Sequence, residues 1–174
     1  STFIKRFMEN LVLPNIENEY KRSRAQDELP QSAGGRTIMT TEPKFVPSNA
    51  ITLSLDGINV NIRLVDCVGF IIESASGYLE DGKMRMVQTP WFNEAIPFDD
   101  AAKIGTQKVI KDHSTLGIVL LTDGTINDVS IEDYSDAEQR ILEEMTMLEK
   151  PYVIIKKKKM PNGDWKSEAE THAI

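Results

Sequence analysis

Cysteine is almost missing from this chain. Cys67 is the single one among 174 residues, so no disulfide can form within it, and a reducing compartment is expected. No run of about 18 apolar residues occurs, so no segment reads as a membrane-spanning helix. Positive charge is not in excess either. Lys and Arg number 20 against 27 Asp and Glu, a net charge of −7, which argues against a protein that grips nucleic acid by broad electrostatics. No secretory signal is expected in the first residues, because charges interrupt them at once. The expectation from these absences is a cytoplasmic protein. What is present, 40% hydrophobic and 27% charged residues, suits one medium domain with a real core.

No methionine precedes "STFIKRFMENLV". Phe3, Ile4, Phe7, Met8 and Leu11 recur at spacings of three and four, with Lys5, Arg6 and Glu9 between them, which predicts a core-facing helix. A helix with nothing ahead of it suggests that a first strand and a loop belong before it. "VLPN" breaks the pattern, "IENEYKRSRAQDEL" is helix or loop, and "PQSAGGRTIMTTEPKFVP" is a structured loop entering an extended segment at Lys44 to Val46. In "ITLSLDGINVNIRLVD", Ile51, Leu53 and Leu55 alternate, Asp56-Gly57 turns, and Ile58, Val60, Ile62 and Leu64 alternate again, the pattern of a two-residue hairpin.

Cys67 to about Phe98 shows little regular pattern, which in a compact domain points to a functional or mobile region. "DDAAKIGTQKVIKDH" predicts a helix with acids at its start and Lys111 and His113 at its end. "TLGIVLLT" and "PYVII" predict strands buried on both faces. Between them "SDAEQRILEEMTMLEK" predicts a helix that starts at Ser135 with Glu138 in capping-box spacing, and carries Ile141, Leu142, Met145 and Leu148 on one face. Strand and helix alternate as in a parallel α/β sheet, to which the hairpin adds an antiparallel member.

"LVDCVGF" ends an apolar strand on Asp66, with Gly69 three residues on. Ligands of open α/β sheets sit outside the carboxyl ends of the strands. A carboxylate there can hold Mg²⁺, and a glycine lets a backbone N–H approach a terminal phosphate without hindrance from Cβ. A strand-end turn is the plain alternative. Ser1 and Thr2 strengthen the phosphate reading, because phosphate-binding loops end in Lys-Ser/Thr and open directly into an amphipathic helix. Ser1 would then give Mg²⁺ a hydroxyl and Asp66 would approach the same ion. Thr40 and Thr41 lie in the loop between helix and hairpin, where nucleotide switches place a threonine that senses the terminal phosphate. Asp123, in "LLTDGTI", shapes the nucleotide pocket or makes a tight turn.

The segments "STFIKRFMENLVLPNI", "RAQDELPQSAGGRTIMTTEPKFVP", "VNIRLVDCVGF", "KVIKDHSTLGIVLLTDGTI" and "EKPYVII" together resemble the ATPase-domain family of stage IV sporulation protein A, coat morphogenetic proteins of endospore-forming bacteria. The likeness spans residues 1 to about 155 and leaves 156–174 as an atypical basic and polar tail. It implies a three-layer P-loop NTPase of the GTPase-like, translation-factor-related class that uses ATP and Mg²⁺. It also implies ATP hydrolysis that drives self-polymerisation into a shell on the mother-cell face of the forespore outer membrane. The implied partners are a small amphipathic membrane-anchoring peptide and other spore coat and cortex assembly proteins, with no nucleic acid. Carried over, Ser1 is the Mg²⁺ hydroxyl, Thr40 and Thr41 are the paired sensor threonines, Asp66 is the metal-site acid and Gly69 closes its motif.

Two departures from the family are visible. The glycine-rich loop and its lysine do not precede Ser1, so the chain as given is expected to bind ATP poorly, to turn over little, and to be a fragment of low solubility. After "PYVII", "KKKKMPNGDWKSEAETHAI" stands where an Asn-containing base-recognition segment belongs. A GTPase of the same fold, a structural assembly protein with a vestigial nucleotide site, and a protein-protein adaptor are the rival readings. Elsewhere the simpler readings prevail: Cys67 as a buried inert thiol, His113 as a surface residue, Lys156 to Lys159 as a solvated tail, Arg36 as a loop arginine rather than an arginine finger, and Trp91 and Phe92 as the cap of a small satellite core rather than a docking surface.

Overall fold

The computed structural model describes residues 2–30, 38, 40–72, 75–122 and 130–172. Two compact units divide the chain, one made of residues 1–35 and 43–66, the other of 36–42 and 67–174.

In the first unit, α1 (Thr2–Phe7) runs into a π turn at Met8–Val12 and a 3₁₀ turn at Leu13–Asn15. Ile4 and Met8 face inward as the spacing predicts, but Leu11 is exposed and Val12 is buried in its place. A π turn takes more residues to go round than an α turn, so the inward position slips by one. Asn18 caps α2 (Glu19–Asp27) by accepting a hydrogen bond from the Lys21 N–H, and α2 buries Ala25. The hairpin forms as read: β1 (Lys44–Leu55) and β2 (Ile58–Asp66) pair antiparallel from Leu55 opposite Ile58 to Lys44 opposite Asp66. Positive φ at Asp56 (50°) and Gly57 (82°) makes the tight turn. The register slips between Val46 and Ile51, where Pro47 can be tolerated because no ladder bond is required of it. Glu28, just past α2, accepts both the N–H and the hydroxyl of Ser48 inside that irregular stretch. Met8, Val12, Val46 and Leu53 fill the core between helices and hairpin.

The second unit holds the patternless segment, whose strands are two residues long: β3 (Leu79–Glu80) with β4 (Lys83–Met84), and β5 (Met86–Val87) with β6 (Ile96–Pro97). Strands this short carry no periodicity. Then come α3 (Phe98–Lys108), a π turn to His113, β7 (Gly117–Thr122), α4 (Ile131–Met147), β8 (Tyr152–Lys159) and β9 (Trp165–His172).

Five expectations are corrected by the structure. The fold is α/β, but the hairpin is a separate two-stranded sheet rather than a member of one mixed sheet; β7-β8-β9 form another, parallel between β7 and β8 and antiparallel between β8 and β9. No three-layer P-loop sheet is evident among the described residues, because each sheet pairs only within its own unit. Strand β7 is buried on one face, not two: Val119 is covered, while Ile118 and Leu120 on the opposite face are exposed. Helix α4 covers the inner face so closely that a methyl group on Gly117 would run into Met145. Helix α4 begins at Ile131, capped by Ser130 accepting from the Asp133 N–H, so Ser135 lies within it and donates to the Glu132 carbonyl instead. The basic stretch from Lys156 is not a loose tail but the second half of β8. It turns at Met160–Asp164, with Gly163 at φ 86°, and pairs with β9.

Candidate functional site

Asp66 is the last residue of β2, half-buried, and its rung of the ladder is completed by Lys44. Directly opposed residues hold their Cβ atoms about 5 Å apart, so the open end of the hairpin pairs an acidic with a basic residue. Thr2, exposed at the start of α1, belongs to the same unit.

Gly69 belongs to the second unit and has φ 80°, a backbone conformation that glycine adopts without strain. Its peptide groups are held by one hydroxyl. The Gly69 N–H donates to Thr106 Oγ1 at 3.1 Å, and Thr106 Oγ1 donates to the Gly69 carbonyl at 3.3 Å. Thr106 is buried in α3. From the other side, α4 meets the same segment: Ile141 Cδ1 lies 3.7 Å from where a Gly69 Cβ would be, and Arg140 stands over the Phe70 ring at 6.0 Å. Gln107 of α3 donates to the Glu144 carboxylate of α4, tying the two helices together.

The two adjacent threonines differ. Thr40 is exposed, and its hydroxyl accepts the Glu42 N–H at 3.1 Å in a local turn. Thr41 is buried, and its carbonyl oxygen rests on Gly105 of α3, 3.2 Å from where a methyl group would sit. Trp91 closes on the same glycine, with Cη2 3.4 Å from that position, and Lys108 lies 5.7 Å from the centre of its ring. The segment before Thr40 is anchored by the Ile38 N–H donating to the Ser76 carbonyl.

Two sequence-predicted segments therefore meet on consecutive residues of one helix, Thr41 on Gly105 and Gly69 on Thr106. Neither helix residue was singled out by the sequence reading. The available signal was a glycine in mid-helix, which costs about 1 kcal/mol against alanine and usually has a packing reason. Ser1, Asp123 and Arg36 lie outside the described residues. Cys67 is half-buried rather than buried, His113 is exposed as expected, and Trp91 packs on α3 while Phe92 is exposed. Among the described residues no three His, Cys, Asp or Glu side chains gather as a metal cage. The hard oxygen donors of a serine hydroxyl and a carboxylate fit Mg²⁺, which nucleotide sites hold with one or two protein ligands and phosphate oxygens. No helix among the described residues is long and apolar enough to cross a membrane.

The fold is α/β, and one helix seats both the paired-threonine segment and the Asp-x-x-Gly segment. The chain belongs to the family described as stage IV sporulation protein A, ATPase domain, whose model matches residues 1–172. It is 58% identical over 156 residues to stage IV sporulation protein A of Bacillus subtilis (strain 168), and 58% identical over 156 residues to that of Bacillus anthracis. It is 52% identical over the same length to that of Clostridioides difficile (strain 630). Each match covers 89% of this chain and 32% of the relative, so the chain spans about a third of the length of these curated relatives. No solved structure matches the chain.

Proposed function

We propose that this chain is the nucleotide-hydrolysing part of a sporulation ATPase, and that ATP hydrolysis drives its self-assembly into the basement layer of the spore coat. The work is done in the mother-cell cytoplasm at the forespore outer surface, with a small amphipathic peptide and other coat and cortex assembly proteins as partners. Thr41 and Gly69 seated side by side on α3 carry the reading. They are the two segments that a terminal phosphate must address, and one rigid element registers both.

Ser1 and Asp66 would hold Mg²⁺, which when bound neutralises charge on the β and γ phosphates. Thr2 and Asp123 line the nucleotide. Thr40 and Thr41 sense the γ-phosphate and orient the attacking water, and the Gly69 N–H donates to a γ-phosphate oxygen. Loss of that phosphate frees the threonine segment, and the change alters the surface offered to the next subunit. Hydrolysis of this kind rests on positioning and charge stabilisation, so no histidine base is needed.

The test is phosphate release and sedimentation of polymer in a full-length chain. Asp66→Asn is expected to lower release about a hundredfold or more, and Thr40→Ala or Thr41→Ala at least about tenfold. Unchanged release and unchanged polymer in both threonine variants would overturn the switch reading and favour a vestigial site. Competition by GTP equal to that by ATP would reassign the chain as a GTPase.

A further inference from the structure

We propose that Thr106 is a built-in competitor for the γ-phosphate: its hydroxyl occupies the Gly69 N–H that nucleotide must take, and so sets the ATP affinity of the site. The inference rests on the reading of Gly69 given above and deepens it into a means of regulation. A threonine hydroxyl has one proton to donate and two lone pairs to accept with. In the structure that hydroxyl both accepts from the Gly69 N–H, at 3.1 Å, and donates to the Gly69 carbonyl, at 3.3 Å. One N–H points at one acceptor, so hydroxyl and phosphate oxygen exclude each other.

The hydroxyl is not free to step aside. Thr106 is 2% exposed, and it sits on a helix tied to α4 through Gln107 and Glu144. Around Gly69 the packing is looser: the nearest heavy atom to a Cβ built there, Ile141 Cδ1, lies at an ordinary 3.7 Å. Gly69 leaving Thr106 strips two hydrogen bonds from a buried hydroxyl, a cost that the phosphate contact has to exceed. The preceding residue of the helix, Gly105, bears the Thr41 carbonyl.

The measurement is ATP turnover by a full-length chain carrying Thr106→Val, which keeps the shape and removes the hydroxyl. The Michaelis constant for ATP is expected to fall about three- to tenfold, the range of one net hydrogen bond, with kcat within about twofold. Thr106→Ser keeps the hydroxyl and is expected to keep the wild-type constant. A merely structural threonine would give the opposite, a constant raised in step with lost stability. Should the valine variant lose its helical circular dichroism, Thr106→Ala takes its place with the same expected fall. Asp66→Asn separates this idea from the one beneath it, because it alters the proposed metal site and leaves the Gly69–Thr106 pair as it is. Turnover lost in Asp66→Asn, while Thr106→Val keeps a wild-type or raised constant, overturns the competitor alone. Turnover unchanged in Asp66→Asn overturns the nucleotide reading and the competitor with it.

Discussion

Glu28 sits within "DELPQS", part of the block that makes the sequence recognisable, yet nothing in that string says what the carboxylate is for. The structure supplies the use. Its oxygens accept two hydrogen bonds from Ser48, 20 residues on, and the Arg24 Nε lies 3.4 Å away. The two Ser48 bonds, backbone first, hold the carboxyl below its ordinary 4.5; burial opposes them, and Arg24 adds a smaller downward pull. A folded-state pKa below the unfolded one adds stability above the unfolded value, and that stability is lost as pH falls through the folded value. Glu28→Gln is therefore expected to cost about 1 kcal/mol at pH 7, a value reduced for partial solvent exposure. The gap to wild type should narrow as pH falls through the folded-state value, which lies below 4.5. Urea unfolding at pH 7 and pH 3 checks this, and an equal gap at both pH values would remove the carboxylate from the explanation. The partner that gives Thr106 its role is more distant still, 37 residues away at Gly69. Such long-range pairs leave no local mark, which is why these residues were silent in the sequence while Asp56-Gly57, whose chemistry is local, was plain.

At the scale of elements, periodicity was legible and boundaries were not. Helix α4 has two serines, each three residues ahead of an acid: Ser130 with Asp133, and Ser135 with Glu138. Spacing alone cannot choose between them. The structure chooses Ser130, whose side chain accepts the Asp133 N–H at 3.2 Å. Glu138 is turned to other surroundings: burial raises its pKa, and the charge of Lys156 on β8 pulls the other way. Ser130→Ala is expected to cost about 1 kcal/mol, whereas Ser135→Ala stays within about 0.5. Thermal unfolding and amide exchange in the first turn of α4 measure both. Equal costs would mean that the helix has two competing starts. The π turn after α1 teaches the same lesson, since it moved the buried position from Leu11 to Val12 without changing the apolar content that predicted the helix.

For the molecule as a whole, the sequence announced two apolar strands and a hairpin, but whether both faces of a strand are covered depends on which elements stack against it. Gly117 and Val119 lie under α4, while Ile118 and Leu120 face outward on a strand that, among the described residues, is the edge of its sheet. Gly117 to Thr122 carries no charge and no proline, the usual guards of an exposed edge. The net charge of −7 opposes association in general, but it does not shield a short neutral strand from pairing with another copy. Leu120→Lys is expected to lower light scattering by the 174-residue chain at tens of micromolar at least about twofold, with stability changed by no more than about 0.5 kcal/mol. Val119→Lys is the contrasting substitution: its side chain points at α4, so a lysine there buries an unpaired charge and should unfold the unit. If Leu120→Lys scatters as strongly as wild type while remaining folded, the β7 edge is not where chains stick, and the exposed Ile58 and Val60 near the hairpin turn become the place to look.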